Sequence, residues 1–342
     1  MANVSTKSED AVEAQLRAVD CRWLLALYAL IPISLFLVAV DTLALDGVLL
    51  RQHLPAAPER WAFWTVIFGL PHIVASLLTM ADREYLSHYR YKLLPPLLAF
   101  AAIACAGQFG PQPVGQRALF VFLAFYTVYH VLAQQLGLTL MMMGAPPSPV
   151  FRLWKWLAVL TGFAIYINVY GKTYLGEVML GPVSVYQVTT LVAVGLCAAV
   201  IVLAIRLTGD ARHRIGTWYL WGNVALLGSA LLINEIGYTL FVILVPRVIH
   251  DVTAYIIYVT HDGNRNRTRP VNLLYRLTRF SRLPPLLLLP AVSILIAYAL
   301  TTHQHLPLVN VAVLTISFLH YYYESFIWRG ASPHRQYVPF RR

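Results

Sequence analysis

Four histidines lie inside long apolar stretches of the chain, where an ionisable side chain is costly unless it is paired or coordinated. They are His72 in FGLPHIVAS, His130 in FYTVYHVLAQQLG, His250 in PRVIHDVTAYIIYVTHD and His320 in FLHYYYESFIW. A buried imidazole can bind a metal ion, ligate haem iron or carry a proton. These residue types therefore predict an intramembrane site with one of these three chemistries.

Carboxylates and amides follow the histidines at helical spacing. Gln134 lies four residues after His130 and Glu324 lies four residues after His320, so each pair shares a helix face. Asp251 directly follows the third histidine. Groups of this kind complete a metal site or orient its imidazole ligands. We therefore predict Glu324 and Asp251 as catalytic groups, His261 as a further ligand, and Gln134, Gln135, Asp262, Glu235, Arg247 and Tyr258 as partners that orient the ligands.

The elements that carry these residues are predicted to be transmembrane helices. Hydrophobic residues make up 58% of the 342 residues, charged residues only 12%, and the mean hydropathy is +0.63. Such a composition is typical of a chain whose solvent is lipid, and a span needs about 20 apolar residues. The sequence predicts an all-α bundle of about ten spans, at roughly 23–45, 61–80, 93–109, 118–143, 151–170, 184–205, 217–234, 238–260, 283–302 and 307–328.

The basic residues predict the orientation of the bundle. With the N-terminus inside, 21 of the 26 lysines and arginines fall on the cytoplasmic side, which is the bias expected near span ends. Both termini are then cytoplasmic, and the number of spans is even. We predict a cytoplasmic segment at 1–22, a transmembrane domain at 23–328 and a cytoplasmic tail at 329–342, in a multi-pass protein of the cell (inner) membrane.

The predicted topology gives the four histidines a common depth. All four fall on even-numbered spans, about 12 to 14 residues from the outer end, and a helix rises 1.5 Å per residue. They would share one layer slightly cytoplasmic of the midplane and converge on one ion. Imidazole with carboxylate suits iron, zinc, copper or nickel, and iron is the metal among these that uses such a site for oxygen chemistry.

The cysteines, the net charge and the remaining histidines indicate less about function. Cys21, Cys105 and Cys197 have no paired spacing, so the sequence indicates neither a disulfide framework nor a cysteine metal site. The net charge of +11 does not indicate nucleic-acid binding, because the sequence shows no soluble basic module. The arginine-rich loop 263–282 is expected to lie along anionic lipid rather than to bind nucleic acid. The remaining histidines, His334 among them, are expected to be solvated.

Two of the histidine motifs resemble those of a known family. FGLPH in the second span and YHVLAQQ in the fourth are similar to the first two histidine motifs of the Brp/Blh family of bacterial and archaeal membrane β-carotene dioxygenases. The resemblance implies a multi-span non-haem iron oxygenase with His72 and His130 as iron ligands and a carotenoid substrate. The later family motif has histidines one helical turn apart, whereas here Ala254 stands four residues after His250, which leaves another isoprenoid or lipid open as the substrate.

Three functions remain open at this point. The leading one is an Fe²⁺-dependent membrane oxidoreductase, an oxygenase that takes O2 and a lipid-soluble substrate from the bilayer; the residues identify no electron donor. The second is a b-type haem protein in which histidines are axial ligands. The third is a transporter with a His, Asp and Glu relay.

Overall fold

The computed structural model describes residues 16–55, 69–279 and 283–342, and helices dominate them. The strands in this part of the chain are two residues long each: β1 (Val19–Asp20) pairs in parallel with β4 (Phe340–Arg341), and β2 (Met179–Leu180) pairs with β3 (Val183–Ser184) in an antiparallel hairpin. The predicted all-α class is confirmed.

The helices follow the predicted spans closely. They are α1 (Cys21–Ala44, with a 3-10 turn at Leu27–Ala29), α2 (Leu70–Met80), α3 (Arg83–Phe109), α4 (Val114–Met143), α5 (Pro149–Glu177), α6 (Val185–Thr208), α7 (Arg214–Ile236), α8 (Thr239–Arg265), the short α9 (Leu273–Leu277), α10 (Pro285–Thr302) and α11 (Pro307–Ile327).

Eight helices in the described part of the chain are long and apolar enough to cross a bilayer: α1, α3 to α8 and α10. The other two predicted spans correspond to α2, which is short, and to the more polar α11; residues 61–68 of the second predicted span lie outside the described residues. Large apolar side chains point outward along the helices, for instance Leu43, which is 83% exposed, and Leu191, which is 69% exposed. Lipid is the medium that accepts such surfaces, and the chain is a multi-pass membrane protein.

The connection between α7 and α8 shows how the sequence sets a helix end. Gly237 adopts a φ of 96°, in the left-handed region that favours glycine, and its backbone N–H donates to the carbonyls of Ile233 and Asn234. Because this cap ends α7 and α8 begins at Thr239, the two predicted spans are separate helices joined by a very short turn.

The described residues divide into two compact units. The first unit comprises those within Met1–Cys21, Thr65–Phe109 and Val252–Arg342, and the second comprises those within Arg22–Trp64 and Gly110–Asp251. The boundary falls inside α8, between Asp251 and Val252, so that helix contributes residues to both units.

In the first unit, α11 packs against α2 and α3, and α10 packs against α2. One apolar cluster joins Tyr85 and Tyr89 of α3 to Tyr323 and Ile327 of α11. The tail after α11 returns to the start of α1, where Arg341 pairs with Asp20 at 2.8 Å beside the β1–β4 ladder. The segment before α1 and the C-terminal tail therefore form one structure rather than two separate ends.

In the second unit, α4, α5, α6 and α7 pack together around a core that includes Leu132, Trp154 and Leu220. α7 and α4 approach one another closely. A Cβ placed on Gly216 would lie 2.3 Å from the Cα of Met143, so only glycine fits there. This contact brings α7 against the C-terminal end of α4, the helix that carries His130.

Candidate metal-binding residues

Two of the predicted histidines form a pair in the first unit. His72 lies near the start of α2, His320 lies in the C-terminal half of α11, and both are fully buried. Their Nε2 atoms are 3.1 Å apart, and the rings are nearly perpendicular at 76° with centroids 4.8 Å apart. The two helices thus direct the same nitrogen of each ring to one point.

Ser76 fixes the tautomer of His320. The Ser76 hydroxyl lies 2.7 Å from the carbonyl oxygen of Ile73, which can only accept, so the single hydroxyl proton is donated there. The Ser76 oxygen must then accept from Nδ1–H of His320, at 2.7 Å, and from the hydroxyl of Tyr323. With its proton on Nδ1, His320 presents the lone pair of Nε2 toward His72, which is the form that binds a metal.

A carboxylate stands beside this pair. Oε2 of Glu324 lies 4.0 Å from Nε2 of His320, one helical turn along α11. Its Oε1 accepts from the hydroxyl of Tyr258 and from the indole N–H of Trp328 at 3.3 Å. Tyr258 and Trp328 also stack on one another, so the carboxylate is held on one edge while its other oxygen lies toward His320.

The second unit holds a histidine pair of similar geometry. His130 of α4 and His250 of α8 are buried, and their rings are nearly perpendicular at 81° with centroids 4.8 Å apart. Asp251 follows His250, with Oδ1 4.0 Å from its Nε2. Arg247 is 3.3 Å from Oδ2 of Asp251, one turn earlier on the same helix, so this arginine balances the charge of the buried carboxylate.

The other predicted partners are distributed unevenly. Gln135 is buried and accepts a hydrogen bond from Tyr28 at 3.2 Å, while Gln134 is half-buried on the same turn of α4. Glu235 is exposed at the end of α7, where it accepts from Tyr186 at 3.0 Å and from its neighbour Asn234. Arg247 pairs with Asp251, whereas Glu235 is engaged by Tyr186 and Asn234.

His261 belongs to a separate buried group of the first unit. Its Nε2 is 2.8 Å from the hydroxyl of Tyr85, and its Nδ1 is 2.9 Å from Oδ1 of Asp262, so both ring nitrogens have partners. Asp262 also accepts from Tyr275 at 2.9 Å. His261 is therefore tied to α3 and to the segment after α8; its part in metal binding stays a prediction.

His334 was expected to be solvated in the tail, and this expectation is wrong. The residue is fully buried: its ring stacks on Tyr85 with centroids 3.7 Å apart and on His261 with centroids 5.1 Å apart. Burial, together with the nearby His261, Arg265 and His88, lowers the pKa of His334 from 6.5 to about 2. Sequence patterns do not indicate this burial, because a histidine among arginines in a short tail resembles any exposed segment.

Each unit therefore holds a buried pair of histidines with a carboxylate oxygen 4.0 Å from one ring: Glu324 beside His320 in the first unit, and Asp251 beside His250 in the second. Buried histidine and glutamate groups of this chain could hold a metal ion. No protein-family model, curated protein or solved structure matches the chain. The argument for function consequently depends on the chemistry of these residues.

Proposed function

We propose that the protein is a metal-dependent membrane oxidoreductase, an iron oxygenase that acts on a lipid-soluble substrate. The observation that carries the proposal is the pair of Nε2 atoms of His72 and His320, 3.1 Å apart in a fully buried site where Ser76 holds the proton of His320 on the other nitrogen. His72, His320 and Glu324 would bind the metal in the first unit, and His130, His250 and Asp251 offer the same donors in the second.

The separation of the two nitrogens fits metal ligation. Imidazole nitrogens bind divalent metals at about 2.0–2.1 Å, so two ligands at 90–110° around one ion are about 2.9–3.4 Å apart. The 3.1 Å between His72 and His320 falls in this interval. A hydrogen bond between neutral rings has a similar length, and metal analysis separates the two cases.

The same distance disfavours haem. Axial imidazoles stand on opposite faces of the porphyrin, with their nitrogens about 4 Å apart in line with the iron, and the macrocycle must fit between the rings. Perpendicular rings with centroids 4.8 Å apart, as in both histidine pairs, leave no room for it. This geometry supports a non-haem ion.

The surroundings support an apolar substrate. Iron, when bound, would supply the activation of O2, and the chain's own residues exclude water from that reaction. His72 and His320 are fully buried on helices within a bundle that exposes apolar side chains to lipid, so a hydrophobic molecule dissolved in the bilayer is the reactant best able to approach. The segments around His72 and His130 resemble the Brp/Blh motifs, so a carotenoid is the first substrate to test. Other isoprenoids follow.

Metal analysis of the detergent-purified protein tests the proposal. We expect bound iron in the wild type and its loss in His320→Ala and His250→Ala, while His303→Ala, which changes an exposed histidine, keeps it. That all four histidines share one ion stays a prediction from the sequence. A shared ion would be lost completely in either variant, whereas two separate ions would each be lost in one. Unchanged metal in both variants would refute the proposal.

Activity assays separate the remaining functions. An oxygenase consumes O2 when a carotenoid is supplied in micelles, and this uptake should disappear in His320→Ala but persist in His303→Ala. A reduced-minus-oxidised visible spectrum with haem bands would instead support electron transfer. Solute flux in proteoliposomes that persists without metal and O2 would support a transporter.

A further inference from the structure

A cavity in the first unit lies where the segment after α8 meets the start of α10. Its volume is about 430 Å³, which is within the range of small-molecule sites. Three arginines line it, Arg17, Arg267 and Arg279, and no carboxylate is among its lining residues in the described part of the chain. Positive charge around a cavity attracts an anion.

Apolar residues also line the cavity. They are Leu283, Pro284, Pro285 and Leu288, at the N-terminal end of α10, one of the helices able to cross the bilayer. The cavity thus has a basic part and an apolar part, and the apolar part belongs to a helix that continues into lipid. A ligand that satisfies both parts has an anionic head and a hydrocarbon chain.

Two asparagines, Asn264, which is buried, and Asn266, which is half-buried, fix the backbone next to the arginines. Asn264 exchanges two hydrogen bonds of 2.9 Å with the backbone of Arg17 and donates a third, at 2.8 Å, to the carbonyl of Tyr337. Asn266 donates to Asn272 at 2.8 Å and accepts from the backbone N–H of Val271, which closes the turn next to Arg267. The backbone that carries two of the arginines is therefore ordered before a ligand arrives, which lowers the entropic cost of binding.

We propose that this cavity binds the phosphate head of an anionic lipid, with the acyl chain along the wall formed by α10. Guanidinium groups pair with phosphate oxygens through two parallel hydrogen bonds, and three of them around one head favour a phosphate over a carboxylate of lower charge. The predicted orientation places this end of α10 on the cytoplasmic side, where anionic lipids are available. The site is independent of the proposed metal centre.

The test compares two triple variants of the full chain in detergent. Arg17→Gln/Arg267→Gln/Arg279→Gln removes the arginines of the cavity, and Arg269→Gln/Arg276→Gln/Arg329→Gln removes the same charge from exposed arginines of the first unit that do not line it. Binding of short-chain phosphatidic acid is measured by native mass spectrometry. We expect the cavity variant to lose affinity by about a hundredfold, from about fivefold for each arginine, and the matched variant to lose less than fivefold.

Two further ligands identify the source of the phosphate. Short-chain phosphatidylcholine, whose head is zwitterionic, should bind at least tenfold more weakly than phosphatidic acid, and inorganic phosphate should bind weakly because it does not use the apolar wall. Equal losses in the two triple variants would overturn the proposal. Phosphate alone binding as tightly as the lipid would overturn it as well, in favour of a soluble phosphate ligand. The thermal midpoint in detergent serves as the check on folding and should be the same in both variants.

Discussion

Ser76 determines which nitrogen of His320 is available, although it is not itself expected to touch a ligand. The three hydrogen bonds of its hydroxyl, with Ile73, His320 and Tyr323, use the one hydroxyl proton and both lone pairs of the oxygen. Ser76→Ala removes the acceptor for Nδ1–H of His320, so the ring loses both its orientation and its preferred tautomer. Because partners of this kind contribute about 10–100-fold to metal affinity, we expect a loss of that size, measured by competition with a chelator of known affinity.

Ser317→Ala is the matched control for that measurement. Ser317 is buried in α11, the helix that carries His320, and its hydroxyl donates to the carbonyl of Val313 one turn earlier. Loss of this bond affects α11 without affecting His320. If Ser317→Ala weakened metal binding as much as Ser76→Ala, the effect would belong to the helix and the role of Ser76 would be refuted.

The burial of His334 leads to a prediction about how the stability of the protein depends on pH. The pKa of His334 is about 2 in the folded protein and 6.5 when exposed, so above pH 6.5 it is neutral in both states and has no effect on stability. Below pH 6.5 His334 is protonated in the unfolded chain but stays neutral in the folded protein. The free energy of unfolding therefore falls by about 1.4 kcal/mol for each pH unit. Replacing His334 with phenylalanine, which can still stack on Tyr85, should remove this loss.

The measurement is the thermal midpoint in detergent at pH 7.5 and at pH 5.5. We expect the difference between the two midpoints to be smaller in His334→Phe than in the wild type, and to be unchanged in His303→Phe, where the histidine is exposed. Equal differences in all three proteins would show that His334 is protonated in the folded state.

Among the elements, the contact between α7 and α4 depends on the absence of one side chain. Gly216→Ala would place a methyl group 2.3 Å from the Cα of Met143, a backbone atom that cannot move aside without displacing α4. Overpacking of this kind costs about 1–3 kcal/mol, and here it would also move the helix that carries His130. We expect Gly216→Ala to lower the thermal midpoint and to weaken metal binding.

Gly228→Ala in the same helix is the control. A Cβ there has no described neighbour within 4 Å, and alanine is the better helix former by about 1 kcal/mol. We therefore expect the thermal midpoint to stay the same or to rise. A midpoint that fell equally in both variants would mean that α7 tolerates no alanine at either position, and the close approach to Met143 would not be the cause.

At the scale of the whole molecule, apolar length and arginine placement were sufficient to predict the helices, because a bilayer imposes both. The pairing of His320 with Glu324 on one face follows from helical spacing, and it is confirmed by their 4.0 Å separation. The partners of the histidines were harder to predict, since Ser76 and Tyr85 meet His320 and His261 across 244 and 176 residues of sequence. One sequence shows which residues share a helix face but not which faces of distant helices meet. For the same reason, burial of His334 was missed.

The parallel pairing of β1 with β4 gives the last prediction, which concerns topology. Asp20 lies opposite Arg341 in the ladder, just before α1 and after α11. We therefore expect both ends of the transmembrane domain to lie on one face of the bilayer and the number of spans to be even. With the native cysteines replaced, Asp20→Cys/Arg341→Cys should form a disulfide under mild oxidation, because directly opposed residues lie within the range of Cα separations that a disulfide requires.

A membrane-impermeant thiol reagent then determines which face this is. We expect the reduced Asp20→Cys/Arg341→Cys protein to react only in inverted vesicles, as the arginine distribution predicts, and Leu180→Cys, at an exposed position of the β2–β3 hairpin, to react in intact cells. The reverse pattern would invert the topology and place the arginine-lined cavity on the outer face. Failure of the disulfide would contradict the β1–β4 pairing and remove the structural argument for an even number of spans.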